Sequence, residues 1–413
     1  MAIKENSADI LKSEHLKREH ELATKSKICD IMIIILFCIF ISGFAILHIS
    51  IPDRDFSGKE NKSLEQFPKF SAESLFNGDY TEKISLYLSD QFPFRDFFVE
   101  LKANAERTIL KMENGGVMFG NNALTDREDP PNMENLSTNL TTVQKFTSKL
   151  EENGIYTIFA PAGRRADVCD KDLPIFYGDE NQNMVWNEID NVGKGLSGKY
   201  INLRTPLREK DALGEEVYYR TDHHWTSLGA YYAYTEVWKM LPDSLTEGKE
   251  CRTIEEFTRE TVTDDFFGTI LRRSGATWVE TDKIELFRFE GDDTLPVTDF
   301  YKKTTVNGLY RYDYLEEVDK YSVFLGENVA RLDIGTGDRQ KIVMIKDSFA
   351  QSVVPFLAAD FDIVLIDPRS GRMFKDGIYN TILEIDPAAV VILLNSESLT
   401  DTPVLNTLLV KLK

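Results

Sequence analysis

The chain has 413 residues, of which 42% are hydrophobic and 28% are charged, a globular composition that allows one large domain with accessory segments or two domains. Its formal net charge of −20 argues against nucleic acid as a partner, because binding to phosphates requires a basic surface. The four cysteines form no C-x-x-C pair, so neither a zinc ribbon nor a dithiol redox motif is indicated.

The first predicted element is an uncharged apolar run, IMIIILFCIFISGFAIL, at residues 31–47. With Ile49 and Ile51 it reaches about 20 residues, the length that crosses one bilayer core. A cleaved signal peptide is the alternative, but its apolar region would be shorter and a small-x-small cleavage site would follow. The sequence continues instead as HISIPDRDF. We therefore predict a retained transmembrane helix over residues 28–51.

The residues that flank this run predict its orientation. Basic side chains before a span favour a cytoplasmic location, and here they are Lys12, Lys17, Arg18, Lys25 and Lys27. Residues 1–27 are therefore expected to be a cytoplasmic tail on a single-pass protein of the cell membrane, with the main domain extracellular. The outer part would be acidic, which does not suit a peripheral protein that binds anionic lipid.

A membrane-proximal region is expected at residues 52–130. Its first part reads as helical with an interruption at Pro93, because Ile84, Leu88 and Phe92 recur at helical spacing. GGVMFGNNALTD then indicates a hairpin or turn, and DPPNMENLSTNL indicates a linker.

Residues 131–413 alternate between apolar strands and helices. The predicted strands include IYTIFAP, KYINL, KIVMIK, FDIVLID and AAVVILLN, and the clearest helix is TSLGAYYAYTEVWKML, with Thr226 or Ser227 as its N-cap. Such alternation predicts an α/β domain with a mostly parallel sheet covered on both faces. Residues from about 251 to 335 do not follow this alternation of strands and helices, and they are predicted to be an insertion or lid.

Candidate functional side chains follow the predicted strands. In open α/β folds ligands bind at the carboxyl ends of the strands. Asp222 and His224 precede the clearest helix, where the carboxylate could fix the tautomer of the imidazole. Ser348 lies at a tight turn after a strand, where backbone N–H groups could stabilise an oxyanion. Asn395 and Arg369 end two further strands and could supply additional donors.

Each of these residues also has a structural interpretation. Asp222 and His223 could form a capping turn, Ser348 could be an N-cap, Asn395 a turn residue and Arg369 a surface arginine. Together, however, a serine, a histidine, an aspartate and an amide at strand ends are the components of acyl transfer through a serine nucleophile.

A metal site is a weaker interpretation of the His223–His224 pair, and no metal is expected. A catalytic zinc site there would have to be completed by carboxylates, because the other histidines lie before or within the apolar run; they are His15, His20 and His48. Cys169 and Cys251 could pair only if the fold brings them together. No glycine-rich phosphate loop or coenzyme signature occurs, so no cofactor is expected.

The two histidines are not expected to be equivalent. On an extended backbone, residues two apart point to the same side. His224 should therefore share a pocket with Asp222, and His223 should face away or line the rim.

Several motifs resemble the bacterial family named for its D-H-H-W motif. They are TDHHWT, the KDSF serine turn, DDFFGTIL and the N-terminal segment from ENKSLEQFPKF onward. That family is similar to the acetyltransferase proteins of alginate biosynthesis, which have an SGNH-hydrolase-like fold. The order of Asp222 and His224 before Ser348 agrees with the resemblance. Two features depart from it: the nucleophile turn is Lys-Asp-Ser instead of Gly-Thr-Ser, and the Gly-x-Asn-Asp block is reduced to Asn395.

The resemblance implies roles for these residues. Ser348 would carry the acetyl group, His224 would act as general base and then acid, and Asp222 would orient His224. His223 and Trp225 would shape the pocket or pack beneath it. Asn395 and Arg369 are retained as oxyanion or substrate-binding candidates.

The implied function is that of a membrane-anchored O-acetyltransferase or acetylesterase. It would act on a cell-surface polysaccharide, with acetyl supplied by a multi-span membrane-bound O-acyltransferase. A catalytically inert glycan-binding or scaffolding partner of such an acyltransferase is the alternative, and a metal-dependent surface hydrolase is a third.

Overall fold

The computed structural model describes residues 2–57, 62–127, 129–174, 177–178 and 180–410. The chain divides into two compact units, one formed by Met1–Ser57 and Lys62–Phe98 and the other by Gly58–Asn61 and Val99–Lys413.

The first unit is dominated by a long N-terminal helix. Its elements are α1 (Ala2–Ser50), β1 (Phe56–Ser57), β2 (Lys62–Ser63), α2 (Ala72–Phe76), α3 (Asp79–Asp90) and the first turn of α4 (Arg95–Thr108). Lys25–Ser50 is long and apolar enough to cross a membrane by length and composition. The helix thus begins well before the apolar run. A turn that contains Pro93 separates α3 from α4, because proline cannot continue a helix interior.

The second unit contains the remaining strands and most of the helices. The strands are β3 (Glu113–Asn114), β4 (Val117–Phe119), β5 (Leu124–Asp126), β6 (Tyr156–Phe159), β7 (Lys199–Tyr200), β8 (Thr258–Phe266), β9 (Asp282–Arg288), β10 (Pro296–Asp299), β11 (Thr304–Asn307), β12 (Arg331–Ile334), β13 (Lys341–Lys346), β14 (Asp362–Ile366) and β15 (Ala389–Leu393). The helices are α5 (Met133–Glu152), α6 (Arg165–Val168), α7 (Glu180–Gly193), α8 (Arg204–Ala212), α9 (Ser227–Met240), α10 (Asp243–Thr246), α11 (Thr269–Ser274), α12 (Val354–Ala358), α13 (Ile378–Ile385) and α14 (Ser396–Asp401).

An eight-stranded sheet forms the centre of this unit, in the order β11-β10-β12-β14-β13-β15-β6-β7. The five strands from β14 to β7 run parallel to one another. At the other side of the sheet, β12 pairs antiparallel with β14, and β10 pairs antiparallel with both β12 and β11. The sheet is therefore mixed, and the expectation of a mostly parallel sheet holds only for one side of it.

The antiparallel edge comes from the segment at about 251–335, which was expected to be an insertion or lid. In its strand β12 (Arg331–Ile334) buried and partly exposed residues alternate, and in β10 only Val297 is buried. Both strands therefore lack the continuous apolar run by which a buried parallel strand is recognised in a sequence. The segment also supplies the separate β8–β9 hairpin.

The central strands are buried on both faces. In β13, Ile342 and Met344 belong to one hydrophobic cluster, whereas Val343 and Ile345 belong to the other. Successive side chains of a strand point to opposite faces, so the uninterrupted apolar sequence of β13 fills two cores at once. The first cluster also contains α9 and the residues that follow β13, and it is the face that positions the site.

Candidate active site

Ser348 lies directly beyond the carboxyl end of β13, at the start of a 3-10 helix that ends at Ser352. The preceding Asp347 stabilises this turn through hydrogen bonds. Its Oδ1 accepts the backbone N–H of Phe349 at 3.0 Å, and its Oδ2 accepts the N–H of Asn395 at 2.6 Å and the Ser398 hydroxyl at 2.7 Å. The acidic residue beside the serine therefore connects the end of β13 to the end of β15.

The Asp222–Trp225 segment lies in a tight loop before α9. Its ends are joined by an isolated antiparallel bridge between Tyr218 and Trp225. Thr226 caps α9, because its hydroxyl accepts the N–H of Gly229 at 3.1 Å. The loop is thereby held at both ends and places its polar side chains beside the turn after β13.

The structure brings Asp222, His224 and Ser348 together. His224 Nδ1 lies 2.6 Å from Asp222 Oδ1, and His224 Nε2 lies 2.7 Å from Ser348 Oγ. Because an ionised Asp222 can only accept a hydrogen bond, we assign the imidazole proton to Nδ1. The lone pair of Nε2 is then directed at the Ser348 hydroxyl, the arrangement in which histidine acts as a general base.

Asp222 is held by further donors. Its Oδ1 also accepts the N–H of His224 at 3.0 Å, and its Oδ2 accepts the N–H of Thr269, the first residue of α11, at 2.9 Å. A Cβ atom on Gly268 would lie 2.4 Å from the Asp222 Cβ and 2.5 Å from the Thr221 carbonyl oxygen. The glycine of DDFFGTIL is therefore required so that α11 can approach Asp222.

The pKa values of the pair are shifted in directions that suit this assignment. Burial alone would raise the pKa of the Asp222 carboxyl, but His223, His224 and the hydrogen bonds from His224 and the Thr269 N–H outweigh burial and hold that pKa well below its usual range. For His224, burial and the nearby His223 lower the pKa more than Asp222 raises it. Both shifts favour an ionised carboxylate and a neutral imidazole.

Aromatic side chains pack around His224. The ring of Tyr321 stacks on it with a centroid distance of 3.8 Å and an interplanar angle of 7°. The Tyr321 hydroxyl is within hydrogen-bond distance, 3.0 Å, of Ser352 Oγ. Sequence reasoning missed Tyr321, since it lies in the segment interpreted as a lid and no motif distinguishes it from the other tyrosines there.

Trp225 lies beneath the serine turn. It is fully buried, and its Nε1 donates to the Phe349 carbonyl at 3.0 Å and to Ser352 Oγ at 2.9 Å. The expected packing position is therefore observed. Trp225 cannot contact a substrate, because its side chain is fully buried and its single N–H group already donates within the protein.

His223 is partly exposed, with 37% of its side chain accessible, and its Nδ1 lies 3.7 Å from Asp222 Oδ1. Residues 221–224 form a bend, so the argument from an extended backbone does not apply. The two imidazole rings lie close together, 3.9 Å between centroids, instead of on opposite sides. His223 nonetheless borders a small depression, which is also lined by Thr125, Asp126, Arg164, Arg165, Ala166, Phe349, Asn395 and Glu397.

Asn395 and Arg369 are placed differently from each other. Asn395 borders the depression, but its Oδ1 caps α14 and its Nδ2 donates to the Gly163 carbonyl at 3.0 Å. Arg369 forms an ion pair with Asp367 through Nη2 and Oδ2 at 2.5 Å. Among the described residues, no hydrogen bond or ion pair joins Arg369 to Asp222, His224 or Ser348, so the structure does not bring it into the site.

A metal ion could be held only at the expense of these contacts. The ligand atoms of Asp222, His223 and His224 lie within 4.8 Å of one another. However, Nδ1 of His224 already contacts Asp222 and Nε2 already contacts Ser348. A metal bound by His224 would displace one of the two. All four cysteines are free, including Cys169 and Cys251.

Comparisons with known proteins identify the proteins that this chain is similar to. Residues 188–367 match the family model described as DHHW protein. The probable alginate O-acetylase AlgJ of Pseudomonas fluorescens is 25% identical over 193 residues, which cover 44% of this chain and 48% of that protein. The chain thus spans about half the length of this curated relative.

Two solved structures show the same fold at low sequence identity. A DHHW family protein from Eubacterium siraeum is 18% identical with a TM-score of 0.57, and the match covers 71% of this chain and 95% of that one. PatB1 of Bacillus cereus is 15% identical with a TM-score of 0.57, covering 70% and 98%. These structures show the fold, and the match of residues 188–367 to the DHHW family model confirms the resemblance predicted from the D-H-H-W motif.

Proposed function

We propose that this protein is an O-acetyltransferase, or an acetylesterase, that acts on a cell-surface polysaccharide through Ser348, His224 and Asp222. The observation that carries the proposal is the unbroken series of short contacts from Asp222 through His224 to Ser348. Similarity of part of the chain to a probable alginate O-acetylase supports acetyl as the transferred group.

In the first half-reaction, Ser348 Oγ attacks the carbonyl carbon of an acetyl donor. The hydroxyl proton moves to Nε2 of His224, and Asp222 stabilises the imidazolium that results. The tetrahedral intermediate collapses when the bond to the leaving group breaks, and Nε2 returns its proton to that group. Ser348 is left as an acetyl ester, which is the covalent intermediate of the reaction.

In the second half-reaction, a sugar hydroxyl attacks the acetyl ester while Nε2 of His224 takes its proton. Oγ leaves as the product ester forms, and the proton returns to Ser348. If water takes the place of the sugar, the same steps yield acetate. The balance between transfer and hydrolysis depends on how well bound acceptor excludes water from the depression beside His223.

The backbone N–H of Ser348 is our candidate for the oxyanion donor. Within the described part of the chain it makes no hydrogen bond, whereas the N–H of Phe349 is taken by Asp347. A donor of this kind stabilises the charge that develops on the acetyl oxygen. Asn395 could assist only through the amide hydrogen that does not bond to Gly163.

The setting of the reaction is part of the proposal. The apolar segment Lys25–Ser50 would anchor the protein in the cell membrane with the second unit outside. The acetyl donor would be a membrane-bound O-acyltransferase, and the acceptor a surface polysaccharide.

The intact series of contacts favours this enzyme over a catalytically inert binding partner. An inert relative has no need of a buried carboxylate with three donors or of a histidine whose Nε2 lone pair is directed at a serine hydroxyl. Burying such groups costs free energy unless all of them are paired.

The test is the turnover of an activated acetyl ester by the full-length protein, with and without an oligosaccharide acceptor. Ser348→Ala should abolish both acetate release and sugar acetylation while the circular dichroism spectrum stays unchanged. Ser396→Ala is the matched control, since that serine follows a neighbouring strand but contacts Asp167. Activity retained in Ser348→Ala would refute the proposed nucleophile.

A further inference from the structure

Residues 92–98, with the sequence FPFRDFF, contain four phenylalanines that the proposed chemistry does not use. We call this segment the phenylalanine elbow; it joins α3 to α4 within the first unit. Phe94 is 62% exposed, Phe97 57% and Phe92 38%. Monomeric proteins in water seldom leave so many large apolar side chains uncovered within a few residues.

The elbow lies against the C-terminal end of α1. The ring of Phe92 stacks on Phe44 at 5.2 Å with an interplanar angle of 9°, and Phe98 lies 5.8 Å from Phe44. Phe44 precedes the end of α1 by six residues, which is about 9 Å of helix. The elbow therefore occupies the level of the last turns of α1.

That level corresponds to a membrane interface if α1 spans the bilayer. The candidate span Lys25–Ser50 has 26 residues, about 39 Å of helix, whereas a hydrocarbon core is about 30 Å thick. The last turns of α1 would then reach the boundary between acyl chains and headgroups. Interfacial segments bury their apolar side chains roughly 5–10 Å into this boundary.

The polar groups beside the elbow are paired with the linker that follows α1. Gln91 Oε1 accepts the N–H of Arg54 at 3.0 Å, and its Nε2 donates to the carbonyls of Arg54 at 2.9 Å and Glu65 at 3.1 Å. Asp96 forms an ion pair with Arg54 at 3.4 Å. The linker thus covers the polar side, and the exposed rings remain on the uncovered side.

The backbone of Phe94 supports a role for its ring. Its φ is 59°, in the left-handed region that a bulky side chain rarely adopts. Glycine or asparagine would form the same turn with less strain. The turn therefore does not explain why an exposed phenyl ring is present at this position.

We infer that the phenylalanine elbow inserts into the outer leaflet of the membrane, with Phe94 and Phe97 in contact with lipid acyl chains. This inference rests on the proposed anchoring by α1 and is independent of the chemistry at Ser348. Binding would be driven by apolar burial rather than by charge, because residues 79–98 contain only two basic residues against four acidic ones. The elbow would then fix the first unit against the membrane surface instead of leaving it on a flexible tether.

The experiment places a tryptophan at one position at a time in the full-length protein, reconstituted in zwitterionic phosphatidylcholine vesicles. The variants are Phe94→Trp and Phe97→Trp. Phe40→Trp, inside the candidate span, is the reference for lipid contact, and Leu213→Trp, which is 79% exposed in the second unit, is the reference for water contact. Emission of the unsubstituted chain gives the baseline of the four native tryptophans.

Two quenchers are compared, bromine on the lipid acyl chains near the headgroup and iodide in the water. The added emission of Phe94→Trp and Phe97→Trp should be blue-shifted and quenched several-fold more by brominated lipid than by iodide. If it responds to iodide as Leu213→Trp does, while Phe40→Trp responds to lipid, the elbow is in water and the inference is overturned although the anchor stands. If neither quencher acts, another protein surface covers the elbow, and the inference is likewise overturned.

Discussion

His224 and Ser348 are 124 positions apart in the chain, yet their side chains meet at 2.7 Å. Each is held by a carboxylate two or fewer residues away. Asp222 holds the imidazole, and Asp347 holds the backbone turn that begins at Ser348. The geometry of the site therefore depends on short-range contacts made by two carboxylates, and single substitutions should disrupt it without unfolding the domain.

We predict that His224→Ala lowers acetyl-ester turnover about as much as Ser348→Ala, by roughly 10³-fold or more, because members of one catalytic unit are not additive. The double variant should be no worse than either single variant. His223→Ala should retain a measurable fraction of activity, since His223 does not contact Ser348 among the described residues. A severe loss in His223→Ala with a mild loss in His224→Ala would invert the assignment.

The pH dependence provides a second prediction. The pKa of His224 is lowered by burial and by His223. In the pH profile of kcat/KM, the midpoint of the acid limb should therefore lie below the ordinary histidine pKa of about 6.5. Replacing His223 by glutamine removes a like charge that lowers the pKa of His224. His223→Gln should therefore raise that pKa and move the acid limb to higher pH. A limb that stays in place, or moves down, would exclude this coupling.

The sequence was sufficient to predict that the serine, histidine and aspartate would lie together, because they follow strands or precede a capped helix of one α/β sheet, although each residue taken alone also had a structural interpretation. Tyr321 and Gly268 were not predictable in these roles, since their contacts with the site depend on long-range packing. Arg369 was placed at the correct strand end but is turned toward Asp367.

At the scale of elements, the site is supported by α11, which comes from the segment outside the regular strand–helix alternation. The N-terminus of α11 donates the Thr269 N–H to Asp222, and Gly268 permits this approach. The segment interpreted as a lid is therefore also a structural support, both for the carboxylate and for the antiparallel edge of the sheet.

Gly268→Ala should impair both stability and activity. The new Cβ would clash with Asp222 and the Thr221 carbonyl, and overpacking of this kind costs about 1–3 kcal/mol. Gly178→Ala is the control, because a Cβ there meets nothing within 4 Å. Urea denaturation and acetyl-ester turnover would be measured on both. Unchanged stability and turnover in Gly268→Ala would show that α11 does not depend on this close approach.

Of the five parallel strands, β13, β14 and β15 could be predicted because each contains a continuous apolar run that fills two cores. The short strands β6 and β7 could be predicted from their place in the strand–helix alternation. The three antiparallel strands could not, since sequences such as PVTD and RLDI lack a continuous apolar run and are too short to distinguish from loops. The mixed character of the sheet thus depends on long-range strand pairing, which the sequence pattern did not predict.

At the scale of the whole molecule, anchoring by α1 predicts where the second unit is found. Protease added to intact cells should degrade the segment 99–413, whereas a cytoplasmic marker protein should survive. Permeabilised cells provide the control in which both are degraded. Full protection of the second unit in intact cells would reverse the proposed orientation, in which the basic residues of the N-terminal tail remain in the cytoplasm.

The most direct test of the central claim is to incubate the full-length protein with a small activated acetyl ester and to locate any adduct by mass spectrometry. The account predicts an increase of about 42 Da, one acetyl group in place of a hydrogen, on the peptide that contains Ser348. The adduct should be absent in Ser348→Ala and strongly reduced in His224→Ala. Turnover without any adduct on Ser348, or an equal adduct in His224→Ala, would contradict acyl transfer through this serine.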